Sequence, residues 1–371
     1  MSEERSVRTR FPVVDRLLVF NLATDADDPI LGFTCEWLRA LAARVGEIDV
    51  VTMRAGTLAL PGNVHVHSVG KERGFSEPHR AARFYRILGR LLRAHHYDAC
   101  FAHMMPLFAA MGAGSLRRRR IPITLWYTHG ATPLTLRIAE CLVDNVVTSN
   151  PGGFRLASRK VHVIGHGIDT DAFRPTPRDE SPIRPFTVVA VGRIAPVKRN
   201  EIMVDVLAEL SASMPEVSAR LRLVGPVEER DRRYADSLAE RAEALGVGAS
   251  VEWVGAVARR DLPAVFAGAD AALNLSPEGL FDKAALEAMA VGLPVVTTNR
   301  FLQAISSQAD GRLVPGDDSA VAVAKACRSV VELGDDARRK IGLALRDIVV
   351  AEHGLDRLAD RLVARLVVVQ P

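Results

Sequence analysis

Short apolar runs and longer amphipathic stretches alternate along the whole chain. In the first half, Leu17–Asn21, Ile48–Thr52, Val64–Ser68, Ala99–Ala102, Ile123–Tyr127, Asn145–Thr148 and Val161–Ile164 read as strands. In the second half the same reading applies to Thr187–Val191, Arg220–Val224, Val251–Val254, Ala271–Leu275 and Pro294–Thr297. Thr34–Arg44, Ala81–Ala94, Glu201–Ala212, Arg232–Leu245 and Ala285–Ala290 place apolar residues at helical spacing between them. Strands rich in β-branched residues, without a polar residue at every second position, are covered on both faces; alternating with helices, they predict parallel sheets. The expected fold is α/β, with two doubly wound, Rossmann-like domains facing each other across a cleft. Four prolines between Asp171 and Phe186 stop any helix or central strand there. The expected organisation is therefore a first domain over 1–170, a linker over 171–186 and a second domain over 187–349. One last helix, Arg338–Val369, is expected to return from about residue 350 and brace the first domain.

The 371 residues are 48% hydrophobic and 25% charged, enough for two ordinary cores and unlike a disordered or collagen-like chain. Cys35, Cys100, Cys141 and Cys327 are far apart, which excludes a zinc ribbon and predicts reduced thiols in a cytoplasm. The run Leu17–Phe20 is too short to span a membrane. Residues 1–180 hold 24 Lys+Arg against 18 Asp+Glu, and residues 181–371 hold 24 against 26. An anionic acceptor, or a peripheral membrane contact, therefore suits the basic first half better. Nothing points to nucleic acid, and the oligomeric state is not legible.

The segment most suggestive of chemistry runs from Ser276 to Ala290 and closes on Gly292-Leu293-Pro294-Val295-Val296. A buried strand enters a glycine-containing turn and then a helix, which presents backbone N–H groups to an anion. Glu287, on the first turns of that helix, can accept both hydroxyls of a ribose, because an ionised carboxylate is an acceptor only. Upstream, the strand Val188–Val191 runs into Gly192-Arg193, and Lys198 follows at the entry to the next helix. Two cations at a strand end can bind a diphosphate and stabilise the charge that grows on it as a leaving group.

With these pieces in place, the sequence resembles the retaining glycosyltransferases of family 4, which have the GT-B fold. Gly192-Arg193 with Lys198, Leu223-Val224-Gly225-Pro226, Val251–Gly255, Asp261-Leu262-Pro263 with Ala269-Asp270, and Leu286–Val296 occur in family order. The first half is looser, with Trp126–Gly130, Thr148-Ser149-Asn150 and Gly165–Asp169. The resemblance implies that Arg193 and Lys198 meet the donor diphosphate and Glu287 the ribose. It places Gly192, Gly225, Val254 and Ala256 around the nucleotide, and Gly279, Leu280, Phe281, Asp282 and Lys283 around the phosphate and the transferred sugar. Gly32 resembles the glycine of the loop after the first strand. His129 resembles the histidine near the reacting carbon of the sugar, and His103, after its strand, is a second candidate on the acceptor side.

The family pattern has two glutamates eight positions apart, whereas here Gly279 lies eight before Glu287 and Glu278 nine before. Either a one-residue bulge returns Glu278 to the sugar or Asp282 takes the sugar hydroxyls; a subset of the family with Asp-Lys at this place favours Asp282. Gly165-His166-Gly167 replaces a common Pro-Asn-Gly. The D-x-D sets at Asp169 and Asp25 read as turns, so no metal and no cofactor is expected. The implied activity is sugar transfer from a nucleotide sugar, with UDP as the favoured carrier, to a small-molecule or glycoconjugate acceptor. A nucleotide-sugar epimerase and a non-catalytic nucleotide-sugar-binding homologue are the alternatives.

Overall fold

The computed structural model describes residues 14–28, 31–176, 184–277 and 282–367. The chain divides into two units: one ends at Gly165 and resumes at Leu355, and the other runs His166–Gly354.

The first unit orders as β1 (Arg16–Thr24), α1 (Phe33–Ala42), β2 (Glu47–Ala55), β3 (Val64–Ser68), α2 (Glu77–Ala94), β4 (Ala99–His103), α3 (Pro106–Arg117), β5 (Ile123–Trp126), α4 (Leu134–Leu142), β6 (Asn145–Thr148) and β7 (Val161–Val163). The strands form one sheet in the order β3-β2-β1-β4-β5-β6-β7. Every pair is parallel, with Val19 opposite Val50 on one side and Phe101 on the other. Successive side chains of a strand point to opposite faces, and β1 shows why its apolar run is unbroken. Leu18 and Phe20 pack with Phe84 and Leu88 of α2 and Phe108 of α3, while Leu17 and Val19 pack with Trp37 and Leu41 of α1.

The second unit orders as β8 (Phe186–Val191), α5 (Asn200–Ser213), β9 (Ala219–Val224), α6 (Arg232–Ala244), β10 (Val251–Gly255), α7 (Leu262–Ala267), β11 (Ala271–Asn274), α8 (Lys283–Ala290), β12 (Val295–Thr297), α9 (Arg300–Ala309), α10 (Ala320–Glu332) and α11 (Gly334–His353). Its parallel sheet runs β10-β9-β8-β11-β12. Helix α8 is apolar and buried on every side from Ala285 to Ala290, Glu287 included. A helix of that kind belongs inside a core. At the start of β8, the buried Asp270 carboxylate accepts the Thr187 N–H at 2.8 Å and both ends of the Arg184 guanidinium, so this aspartate is a structural clamp.

The single helix expected over Arg338–Val369 is instead two. Helix α11 stops at His353, Gly354 has φ −60° and ψ 142°, and α12 (Leu355–Leu366) begins directly after it. The break has a backbone cause: the Ile168 N–H donates to the His353 carbonyl at 2.8 Å, and Ile168 bridges to Gly354. Amphipathic spacing continues on both sides of the break, so periodicity alone joins the two pieces. Helix α11 stays with the second unit, where Arg346 donates to the carbonyls of Thr170, Phe173 and Ala290. Helix α12 belongs to the first unit, burying Leu358, Leu362, Val363 and Leu366 with Trp37 and Leu41. The proline-rich 171–186 segment is described only outside 177–183.

Among the described residues, no helix is long and apolar enough to cross a membrane.

Candidate functional site

Three neighbouring strands of the second unit run out into glycines, whose backbones bond across the strand ends. The Gly192 N–H donates to the Val224 carbonyl at 2.9 Å, and the Gly225 N–H to the Gly255 carbonyl at 2.8 Å. A Cβ on Gly225, whose φ is 151°, would run into the Gly192 carbonyl. The ends of β8 and β9 therefore approach as closely as backbone permits, which only glycine allows. Val254 and the exposed Ala256 flank Gly255 on the third strand end.

Beyond Gly192, Arg193 leads into a single 3-10 turn, Pro196–Lys198, and Arg199 in the left-handed region redirects the chain into α5. That turn lays the Lys198 side chain along Gly192, whose absent Cβ would lie 3.2 Å from Lys198 Cε. The Lys198 ammonium reaches across the sheet end to Asp282, at 2.5 Å from Oδ2, and to Ser276 Oγ at 3.3 Å. Asp282 Oδ2 also accepts from Asn274 Nδ2 at 2.7 Å and from Ser276 Oγ at 2.9 Å, while Oδ1 caps α8 by accepting the Ala284 N–H at 3.3 Å. Burial by itself pushes the Asp282 carboxyl up; the Lys198 charge and these donors outweigh it and hold it below the ordinary aspartate range. Two oxygens carrying four donors leave Asp282 turned inward. Its contacts make it the anchor of Lys198.

Glu287, one turn further along α8, is 2% exposed, and its Oε1 lies 2.5 Å from Arg259 Nη1. Arg259 rests over the Phe173 ring at 5.0 Å. Arg193 pairs with Glu228 at 2.7 Å, in solvent. The expected cations and carboxylates thus sit at the carboxyl ends of the strands of one sheet, each neutralised by a partner. Asn299 caps α9 and donates Nδ2 to the carbonyls of Ser276 and Pro277 at 3.3 and 3.2 Å, fixing the first end of the β11–α8 loop as Asp282 fixes the last. The candidates Glu278, Gly279, Leu280 and Phe281 lie outside the described residues. Lys283 opens α8 with its ammonium buried.

The first-unit candidates are placed differently. Gly32 begins α1 with helical φ, and a Cβ there would lie 2.7 Å from the Asp28 carbonyl, so the tight loop requires the glycine. His129 is exposed; its N–H donates to the Gly153 carbonyl, and its Nδ1 accepts the Ala131 N–H at 3.0 Å, leaving Nε2 as the outward ring nitrogen. His103 is 5% exposed and lies among the rings of Phe33, Trp37, Phe101 and Trp126, with Trp37 at 4.8 Å. Its surroundings are aromatic and buried. Asp169 Oδ1 accepts the N–H groups of Asp171 and Ala172, as a turn residue does. Among the described residues, no three His, Cys, Asp or Glu side chains gather as a metal site.

Arg259, Asn274, Asn299 and Glu228 are the members of this constellation that the sequence reading missed, and Ser276 entered it only as the start of the turn. Arg259 sits in the polar run Ala258–Asp261, which reads as a solvated turn; its proximity to Glu287 is tertiary. Asn274 and Ser276, flanking Leu275 at the end of a buried strand, carried the one available signal.

Two family models match the chain: "Glycosyl transferases group 1" over residues 185–332 and "Glycosyltransferase Family 4" over residues 33–145. The chain thus carries a group 1 and a family 4 glycosyltransferase domain. A D-inositol 3-phosphate glycosyltransferase of Salinispora arenicola is 32% identical over 179 residues, 44% of this chain and 40% of that protein. A mannosylfructose-phosphate synthase of Agrobacterium fabrum is 31% identical over 153 residues, 39% of this chain and 34% of that protein. These alignments therefore span well under half of either relative. HepE of Anabaena, solved with UDP and glucose, superposes with a TM-score of 0.70 at 18% identity, covering 94% of this chain and 98% of that one. The fold is GT-B.

Proposed function

We propose that this chain transfers a sugar from a nucleoside diphosphate sugar, with UDP as the carrier, to a hydroxyl of a small-molecule acceptor, retaining the anomeric configuration. The observation that carries the reading is the Lys198 ammonium held on Asp282 between the ends of β8 and β11. A diphosphate entering there would take Lys198 from Asp282 and Arg193 from Glu228, and both cations would stabilise the charge left on it as the glycosidic bond to phosphate breaks. The acceptor oxygen forms the new bond to the anomeric carbon, and its proton passes to the departing phosphate oxygen. Glu287 accepts from the ribose hydroxyls once Arg259 turns aside, and in the first unit His129, with Nδ1 engaged by the Ala131 N–H, is the candidate for the acceptor. With both charges supplied by side chains, the reading needs no metal, and turnover should survive chelation. The solved relative carries UDP and glucose, and the two curated relatives are named for phosphorylated acceptors or products. A phosphate-bearing polyol or sugar is accordingly the first acceptor to try.

The test is release of nucleoside diphosphate in the presence of EDTA, after a thermal-shift screen has picked the donor. Arg193→Ala and Glu287→Ala are expected to lose about 100-fold or more in kcat/KM. Near-wild-type kinetics in both would remove the assignment.

A further inference from the structure

A second cationic site lies in the first unit, away from the Lys198 constellation in sequence and independent of how that constellation is read. Between the edge strand β3 and helix α2 is a cavity of about 290 Å³. Arg73, Arg83, Arg86 and Arg90 line it together with His67 and Ser68, over an apolar floor of Val66 and Ile87, and among the described residues no carboxylate lines it. On the basis of this cavity, we propose that it binds the phosphate or diphosphate group of a phosphorylated molecule.

Arg83, Arg86 and Arg90 fall at i, i+3 and i+7, one stripe of α2 facing the same space. Like charges at such spacing repel, and elsewhere the chain answers its arginines with acids, as at Arg44 with Asp356 and Asp360 or Arg241 with Asp205. Among the described residues, Arg86 and Arg90 meet no carboxylate within 4 Å, and Arg73 meets only Glu72, at 3.6 Å. The stripe therefore costs stability unless an anion shares it.

Arg83 is built into place. Its guanidinium donates to the Ser68 carbonyl at 3.2 Å and lies over the Phe75 ring at 5.3 Å, while its Nε is buried without an acceptor among the described residues. A buried charged donor without an acceptor is costly, and an oxyanion in the cavity would remove that cost. The turn carrying Ser68 and Phe75 is fixed as well. Gly70 has φ 96°, its missing Cβ keeps clear of the Phe75 ring, and Ser68 Oγ ties Glu72 to the Gly70 N–H. His67 is oriented by a 3.0 Å bond from Nε2 to the buried Asp49.

Planar guanidinium forks match the oxygens of a phosphate pairwise, and several converging forks favour a multiply charged group over a lone carboxylate. The volume, many times the roughly 30 Å³ share of one water, admits a diphosphate or a phosphomonoester with part of its carrier. A soluble phosphate and a lipid headgroup share this chemistry.

Calorimetric titration with inorganic pyrophosphate at low salt is expected to find two sites per chain in the wild type. Lys198→Ala should leave one, and the double variant Arg86→Glu with Arg90→Glu should remove the other, weakening it at least tenfold. Both arginines are exposed, so the variant is expected to fold, and its circular dichroism melt checks this. Arg86→Lys with Arg90→Lys should bind with intermediate affinity. Reversing Arg118 and Arg119, in the exposed basic run before β5, should change nothing at this site. Vesicles containing phosphatidylglycerol that compete with pyrophosphate, and lose that competition in Arg86→Glu with Arg90→Glu, identify a headgroup as the source; vesicles that do not compete identify a soluble phosphate. An unchanged pyrophosphate stoichiometry in the Arg86/Arg90 reversal overturns the proposal, and so does an equal loss in the Arg118/Arg119 reversal.

Discussion

Asp282 shows how one side chain can be both a fold residue and a site residue. It caps α8, which is a local structural task, and it holds the charge of Lys198, which readies that lysine for a phosphate. Replacing it with Asn preserves a good helix cap but removes the counter-charge. Asp282→Asn is expected to cost about 3 kcal/mol at neutral pH, since it breaks a largely buried ion pair from one side. Because the folded carboxyl titrates below its ordinary range, its contribution is present above the unfolded value and is lost as pH falls through the lowered one. The gap between wild type and variant in urea denaturation should therefore be full from pH 5 upward and narrow on acidification below about 4. A gap that is constant across that range would show that the carboxylate charge is not what holds Lys198.

The strand ends carry the next level of organisation, because the glycines there let β8, β9 and β10 end side by side. Gly225→Ala asks a Cβ to occupy the Gly192 carbonyl position at φ 151°. It should lower stability by about 2 kcal/mol or more through overpacking and backbone strain together. Gly74→Ala provides the contrast, with φ 72° and open space around the Cβ, and should cost about 1 kcal/mol from conformation alone. Urea midpoints of the two variants separate the steric part from the conformational part. At this scale much was legible in advance. Central strands such as β1 and β8 fall where the continuous runs Leu17–Asn21 and Val188–Val191 place them, because strands buried on both faces leave that mark in any context. Hydrogen-bond partners across elements left none. Lys198 and Asp282 each carried a signal of its own, but their bond to each other depends on β8 and β11 lying adjacent, and the Arg259–Glu287 pair depends on where β10 ends. The break at Gly354 was hidden for the same reason, since the competing donor is the Ile168 N–H, nearly two hundred positions away.

Across the whole molecule, the first unit is discontinuous. Helix α12 shares with α1 the layer over one face of its sheet, burying Leu358, Leu362, Val363 and Leu366 against the α1 side of the core. Four such side chains are worth on the order of 6 kcal/mol at about 1.5 kcal/mol each, comparable to the whole stability of an ordinary domain. A chain ending at Gly354 should therefore retain the unfolding transition of the His166–Gly354 unit and lose that of the first, with dye-binding apolar surface appearing around Trp37 and Leu41. Two intact calorimetric transitions in the shortened chain would show that α12 is dispensable. The same discontinuity governs the order in which the protein matures on the ribosome. The unit whose first strand emerges earliest has to wait, its Trp37 face uncovered, while 189 residues of the other unit are synthesised. The later-born unit closes first, and the nascent N-terminal half is the part of this protein that a chaperone has most reason to hold.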